Sequence, residues 1–133
     1  MLTLARIARV LERACRDLTL AQYRLLAMIA DGAERASHLA GQLALTKPTV
    51  SATIDTLVER GLVQRDAVDG DRRATRLTVT AAGRATLVLA ETAMRERLDD
   101  VLARVDDPRM VRESLAQLQS ALDQRREERR ARR

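Results

Sequence analysis

The apolar residues of this chain change their spacing partway along, and that change narrows the folds open to it. Up to Gly61 they recur at helical intervals, from Leu62 to Val79 they are short and alternating, and from Thr80 onward they return to helical spacing. Leu4, Ile7, Ala8, Leu11 and Ala14 predict a first helix over 4–17. A second opens at Thr19, which forms a capping box with Gln22 while Leu18 staples onto Tyr23. Leu25, Leu26 and Ile29 carry its buried face, and Gly32 stops it.

A short helix follows over 37–43, with Ser37 as its cap and Ala44-Leu45 as the turn. Thr46 then caps a further helix in which Pro48 sits in the first turn, where no intrahelical donor is needed. Val50, Ile54, Leu57 and Val58 put its apolar residues on one face, and Gly61 with Leu62 ends it. Residues 62–67 and 74–79 read as a strand pair joined by the polar loop 68–72. Thr80 caps a long helix with a near-heptad seam of Leu87, Ala90, Met94, Leu98, Val101 and Val105. Asp107-Pro108 begins a last helix with Val111, Leu115, Leu118 and Leu122 on one face, before an arginine-rich tail.

A short helix, a tight turn, a capped helix, a glycine stop and a two-stranded ribbon with a charged tip follow the order of a winged helix-turn-helix. The expected fold is therefore mainly α with a small antiparallel β wing. The capped helix would enter a major groove with small polar residues, its exposed face presenting Pro48, Thr49, Ala52, Asp55 and Thr56 flanked by Lys47 and Ser51. The face alone is equally compatible with a solvated helix surface. Arg72, Arg73 and Arg76 at or beside the ribbon tip favour DNA, because an arginine there can enter a minor groove of strong negative potential. Asp55 on such a face calls for a neutralising arginine from the wing or the helical motif.

Composition trims the alternatives. In 133 residues there is one Tyr and no Phe or Trp, so the core must be aliphatic, and base-stacking single-strand binders are disfavoured. The net charge of +5 is not itself an argument for DNA: the last nine residues hold six Arg and two Glu, which is +4, leaving +1 for residues 1–124. Lys47 is the only lysine, an arginine bias that GC-rich coding explains as well as function does. No stretch reaches the roughly 18 apolar residues of a transmembrane helix, and the first Arg comes too early for a signal-peptide core. Cys15 is alone and cannot form an intramolecular disulfide. These features predict a cytoplasmic protein without membrane association. One His and one Cys, with no ligand cluster and no glycine-rich phosphate loop, argue against a metal, a cofactor or an enzyme; His38 fits a surface or phosphate-adjacent place.

The residues also resemble a family. The run from Leu18 to Leu26, then Leu39-Ala40, Pro48-Thr49-Val50-Ser51, Ile54-Asp55, Leu57 and Glu59 to Val63 resembles regulators of the MarR (multiple antibiotic resistance regulator) type. Asp71-Arg72-Arg73-Ala74, Leu77 to Thr80 and Ala82-Gly83-Arg84 continue the likeness, which spans roughly residues 18–90. Three departures stand out. Ala52 occupies a position where the family often has Arg, which weakens or recentres the implied groove contacts. The segment before Leu18 is short, and Val79 replaces a Leu.

The resemblance implies one domain over 1–133, with a DNA-binding core at about 19–80, dimerisation helices at about 2–17 and 81–124, and a basic tail at 125–133. It implies a homodimer joined through Ile7, Leu11, Leu98, Val101, Val111, Leu115, Leu118 and Leu122, with Asp71 supporting the wing. Each protomer would read half of a palindromic double-stranded operator, as a repressor relieved by a small apolar or aromatic effector. Some relatives sense peroxide through an N-terminal Cys with Tyr partners. Cys15 lies close before Leu18 and the chain has only Tyr23, so a buried, inert thiol is the preferred reading. The alternative from another class is a winged-helix dimerisation module that binds protein and does not read DNA.

Overall fold

The computed structural model describes residues 1–32, 39, 43, 45–68 and 71–131. They form α1 (Leu2–Ala14), α2 (Leu20–Ala30), α3 (Lys47–Glu59), β1 (Val63–Val68), β2 (Asp71–Val79), α4 (Ala81–Leu102) and α5 (Pro108–Ala131). Two compact units divide the chain, Met1–Arg97 and Leu98–Arg133. The fold is mainly helical with one two-stranded antiparallel sheet.

Local chemistry sets the helix ends of the first unit. At α2 the Thr19 side chain accepts from the Gln22 amide at 3.2 Å, and the Gln22 side chain accepts from the Thr19 amide at 3.0 Å, the reciprocal capping box. Gly32 follows the helix with φ +91°. Thr46 caps α3 by accepting from the Thr49 amide at 3.3 Å, with Pro48 in the first turn. At the other end of α3, Gly61 takes φ +68°. Its amide donates to the Val58 carbonyl, and the Leu62 amide donates to the Leu57 carbonyl, both at 2.9 Å. That is a Schellman closure, and its accompanying apolar pair, Leu57 and Leu62, is buried.

The buried core of this unit is aliphatic, as a chain with one Tyr and no Phe or Trp requires, with Tyr23 packed at its edge. Leu18, Leu25, Leu26 and Ile29 meet Leu39, Leu43, Val50, Ile54 and Leu57, with Leu62, Val63, Leu77 and Val79 closing one side and Leu87 and Ala90 another. No polar side chain is buried among the described residues. Thr80 joins three elements: its hydroxyl donates to the Gly61 carbonyl at 2.6 Å and accepts from the Gly83 amide at 3.0 Å, while its own amide donates to the Leu62 carbonyl at 3.1 Å. Gly83 must lack a side chain. A Cβ there would overlap the Leu62 carbonyl oxygen and lie 2.8 Å from Val79 Cγ1.

The ribbon differs from the sequence expectation. Its strands run one residue later at β1 and three residues earlier at β2 than 62–67 and 74–79, so Arg72 and Arg73 lie on a strand, not in a loop. Val63 pairs with Val79, Arg65 with Leu77 and Ala67 with Thr75, and then Val68 pairs with Asp71. The register therefore steps over Arg72, Arg73 and Ala74 as extra residues on β2, an irregularity that bends a strand. This part of the ribbon carries no apolar alternation, which is the only signal that would have marked it as strand from sequence.

In the second unit, Asp107 caps α5 by accepting from the Met110 amide at 3.1 Å, with Pro108 at the first helical position. Arg112 and Asp99 form an ion pair at 2.7 Å. Helix α5 continues to Ala131, so most of the arginine-rich tail expected beyond Gln124 is helical. The short helix expected at 37–43, with its Ser37 cap and His38, lies largely outside the described residues; Leu39 and Leu43 are helical and buried.

Candidate nucleic-acid interface

Helix α3 divides cleanly. Val50, Ile54 and Leu57 are buried, whereas Lys47, Pro48, Thr49, Ser51, Ala52 and Asp55 are exposed and Thr56 is half-buried. The first turn holds no acidic residue, so nothing offsets the partial positive charge of the helix N-terminus. The polar groups on this helix are partly committed. The Thr46 and Thr49 hydroxyls share a hydrogen bond at 2.8 Å. Thr53 donates to the Thr49 carbonyl at 2.8 Å, and Thr56 to the Ala52 carbonyl at 3.0 Å. Thr56 thus keeps only acceptor capacity toward a ligand in this rotamer, while Ser51 and Lys47 can donate.

Asp55 is compensated. Arg65 Nη2 on β1 lies 2.5 Å from Asp55 Oδ1, and both side chains are about half exposed, at 42% and 50%. The expected neutralising arginine is therefore one from the ribbon. Arg65 is the residue that sequence reasoning missed. Alternation would have found it: Val63 and Arg65 share a ribbon face with Leu77 and Val79, the face that packs toward α3. At the far end of the helix, Arg60 Nη1 donates to Gln22 Oε1 at 3.4 Å, tying α3 to the capping box of α2.

Arg76 is exposed on β2, paired across the ribbon with Asp66, which accepts from Thr78 at 2.9 Å. The backbone of Asp71, Arg72 and Arg73 is in β2, and the side-chain roles expected of them lie outside what is described, as does the Asp69-Gly70 connection. Among residues expected at a dimer interface, Ile7, Leu11, Leu98 and Val111 are half-buried, and Val101, Leu115, Leu118 and Leu122 are exposed. Leu4 of the expected first helix is exposed, and Leu2, Val88, Leu89 and Met110 are further exposed apolar residues that the sequence reading did not single out.

Cys15 is buried against the first unit's core. Burial pushes its thiol pKa up, and the Glu12 carboxylate adds to the shift. Tyr23 moves in the same direction through burial, then Glu91, then Cys15. A thiol held protonated is a poor nucleophile, opposite to what a peroxide sensor needs. Among the described residues no group of His, Cys, Asp and Glu could hold a metal ion, and no helix is long and apolar enough to cross a membrane.

Helices α2 and α3, strand β1 and the first four residues of β2 lie within residues 16–74, and this segment matches the family model described as MarR family. That segment is therefore similar to the MarR family. A likeness in fold extends over most of the chain in solved structures. A probable transcriptional regulator from Pseudomonas aeruginosa is 27% identical, with 89% of each chain covered and a TM-score of 0.70. The transcriptional repressor CouR, bound to a 23-mer DNA duplex, is also 27% identical, with 91% of this chain and 87% of that chain covered and a TM-score of 0.76. Wild-type MarR from E. coli in its apo form, at 20% identity, shares the fold with a TM-score of 0.71 over 90% of this chain and 88% of that one. No curated protein sequence matches the chain.

Proposed function

We propose that this protein is a sequence-specific double-stranded DNA-binding transcription regulator that works as a homodimer. The observation that carries this reading is the exposed, small and polar face of α3 beside a cationic ribbon, in a segment similar to the MarR family. Helix α3 would lie in the major groove, with Lys47, Pro48, Thr49, Ser51, Ala52, Asp55 and Thr56 at or near base edges and phosphates. Arg72, Arg73 and Arg76 would meet the minor groove or its phosphates from the ribbon, with Asp71 as support. Residues 19–80 serve as the DNA-binding core of a single cytoplasmic domain. CouR, similar in fold and bound to DNA, supports this assignment.

The exposed apolar residues Leu115, Leu118 and Leu122 on α5 support a dimer, because a stripe of this kind on a small chain calls for a partner. With residues 2–17 and 81–124 joining two protomers, each would read one half of a palindromic operator. Repression, with release on binding a small apolar or aromatic effector, is the regulatory mode this architecture supports. The chain is a regulator and not an enzyme.

The test is a fluorescence-anisotropy titration of the full chain against the duplex upstream of its own coding sequence and against a random duplex. Specific complexes typically form about 10³–10⁷-fold more tightly than non-specific ones. Equal affinity for the two duplexes, or no binding, would instead favour a dimerising protein-interaction module.

A further inference from the structure

Asp55 is an anionic side chain on a face that, in the reading above, approaches a polyanion. It pairs with Arg65, at 2.5 Å, and both side chains of the pair are open to solvent. Exposed ion pairs of this kind contribute little to stability. Packing of the ribbon on α3 is in any case supplied by Val63, Leu77, Ile54 and Leu57, all buried in one cluster. The consequence of the pair must therefore be sought in charge and orientation. Arg65 lies on the ribbon face shared with Val63, Leu77 and Val79, directly opposite Leu77, and its guanidinium reaches Asp55 on α3.

We infer that Asp55 is a selectivity residue that holds the Arg65 guanidinium off the DNA backbone. The inference rests on the DNA-binding reading. An unrestrained arginine at this place would take a phosphate of any sequence, adding affinity that carries no sequence information. Held on Asp55, the guanidinium adds nothing to non-specific binding, and the charge of the carboxylate is offset where it faces the groove. The pair thus favours discrimination at the expense of raw affinity, the form of specificity that works against wrong partners.

The test uses the full chain, titrated by anisotropy at several salt concentrations against its own upstream duplex and a random duplex. Asp55→Asn keeps the shape and removes the charge. It should raise affinity for the random duplex several-fold, steepen the slope of log affinity against log salt by about one unit, and lower the ratio of specific to random binding. Glu59→Gln removes an equal charge from the exposed end of the same helix without releasing Arg65, and should leave the salt slope near that of the wild type. Arg65→Gln leaves Asp55 uncompensated and should weaken binding to both duplexes. An Asp55→Asn protein whose random-duplex affinity and slope match the wild type overturns the inference, as does an equal steepening in Glu59→Gln or an unchanged affinity in Arg65→Gln. Failure of the wild type to bind any duplex overturns the DNA-binding reading itself, and the two failures are therefore told apart by the wild-type titration.

Discussion

Thr80→Val replaces a hydroxyl by a methyl of nearly the same size at the point where α3, the ribbon and α4 meet. Two hydrogen bonds disappear: the donation to the Gly61 carbonyl at 2.6 Å and the acceptance from the Gly83 amide at 3.0 Å. The second is an N-cap bond, and losing such a cap costs about 0.5–2 kcal/mol, typically ~1. The first is an ordinary hydrogen bond worth about 0.5–1.5 kcal/mol net, toward the low end here because water can reach the carbonyl. Water cannot easily replace the second, since the Gly83 backbone is pressed against Leu62 and Val79. The sum is about 2 kcal/mol. For a chain of this size that corresponds to a fall of roughly 5–10 °C in Tm. Calorimetry or urea denaturation at fixed protein concentration measures it, fixed because dimerisation makes apparent stability depend on concentration. Thr80→Ser keeps the hydroxyl and should recover most of the loss. A Thr80→Val protein within about 0.5 kcal/mol of the wild type, the range of ordinary surface changes, would refute the reasoning.

Three further outcomes are expected. Leu118→Asp changes a side chain that is 56% exposed in the single chain; the protomer should stay folded, but a buried unpaired charge costs about 3–5 kcal/mol, enough to weaken a dimer more than a hundredfold. Sedimentation velocity at micromolar concentration should then show monomer, and an intact dimer would exclude α5 from the interface. Cys15 has its folded pKa raised by burial and then by Glu12, so its contribution to stability is full below the ordinary thiol pKa and is lost as pH rises toward the folded value; urea midpoints should drop in that alkaline window, less so in Cys15→Ala, and DNA binding by Cys15→Ser should match the wild type with or without peroxide. Arg73→Ala should weaken binding to all duplexes and make the salt slope shallower by about one unit, whereas Ser51→Ala should lower discrimination by about 1–3 kcal/mol and leave the slope unchanged; the same titrations measure both, and an unchanged slope in Arg73→Ala would remove the ribbon from the DNA interface.

The helix ends were legible in the sequence because their chemistry is local. Thr19 with Gln22, Thr46 with Thr49 and Thr80 with Gly83 are all contacts three residues apart, and Gly32 and Gly61 announce left-handed backbone directly. The exposed face of α3 was legible for the same reason, since its buried partners recur at helical spacing. The Asp55–Arg65 pair was not, because it joins two elements: alternation puts Arg65 on the core-facing side of the ribbon but does not say which residue of α3 it meets. The extension of β2 back to Asp71 was hidden by the charged run Asp71-Arg72-Arg73, which has no apolar side to bury and so leaves no alternation. Val88 and Leu89 escaped notice because the seam of Leu87, Ala90 and Met94 accounts for the helical period of α4 without them.

The central claim is that α3 and its ribbon read duplex DNA as one half of a symmetric pair, and a hydroxyl-radical footprint of the full chain on the DNA upstream of its own coding sequence tests it most directly. The account predicts two protected half-sites related by a dyad, with centres separated by about 10–10.5 base pairs or a multiple of that, the geometry of a two-fold helix-turn-helix dimer. Ser51→Ala should thin the protection at both half-sites together. Uniform protection without phasing, or no protection at concentrations where the protein is dimeric, would contradict it.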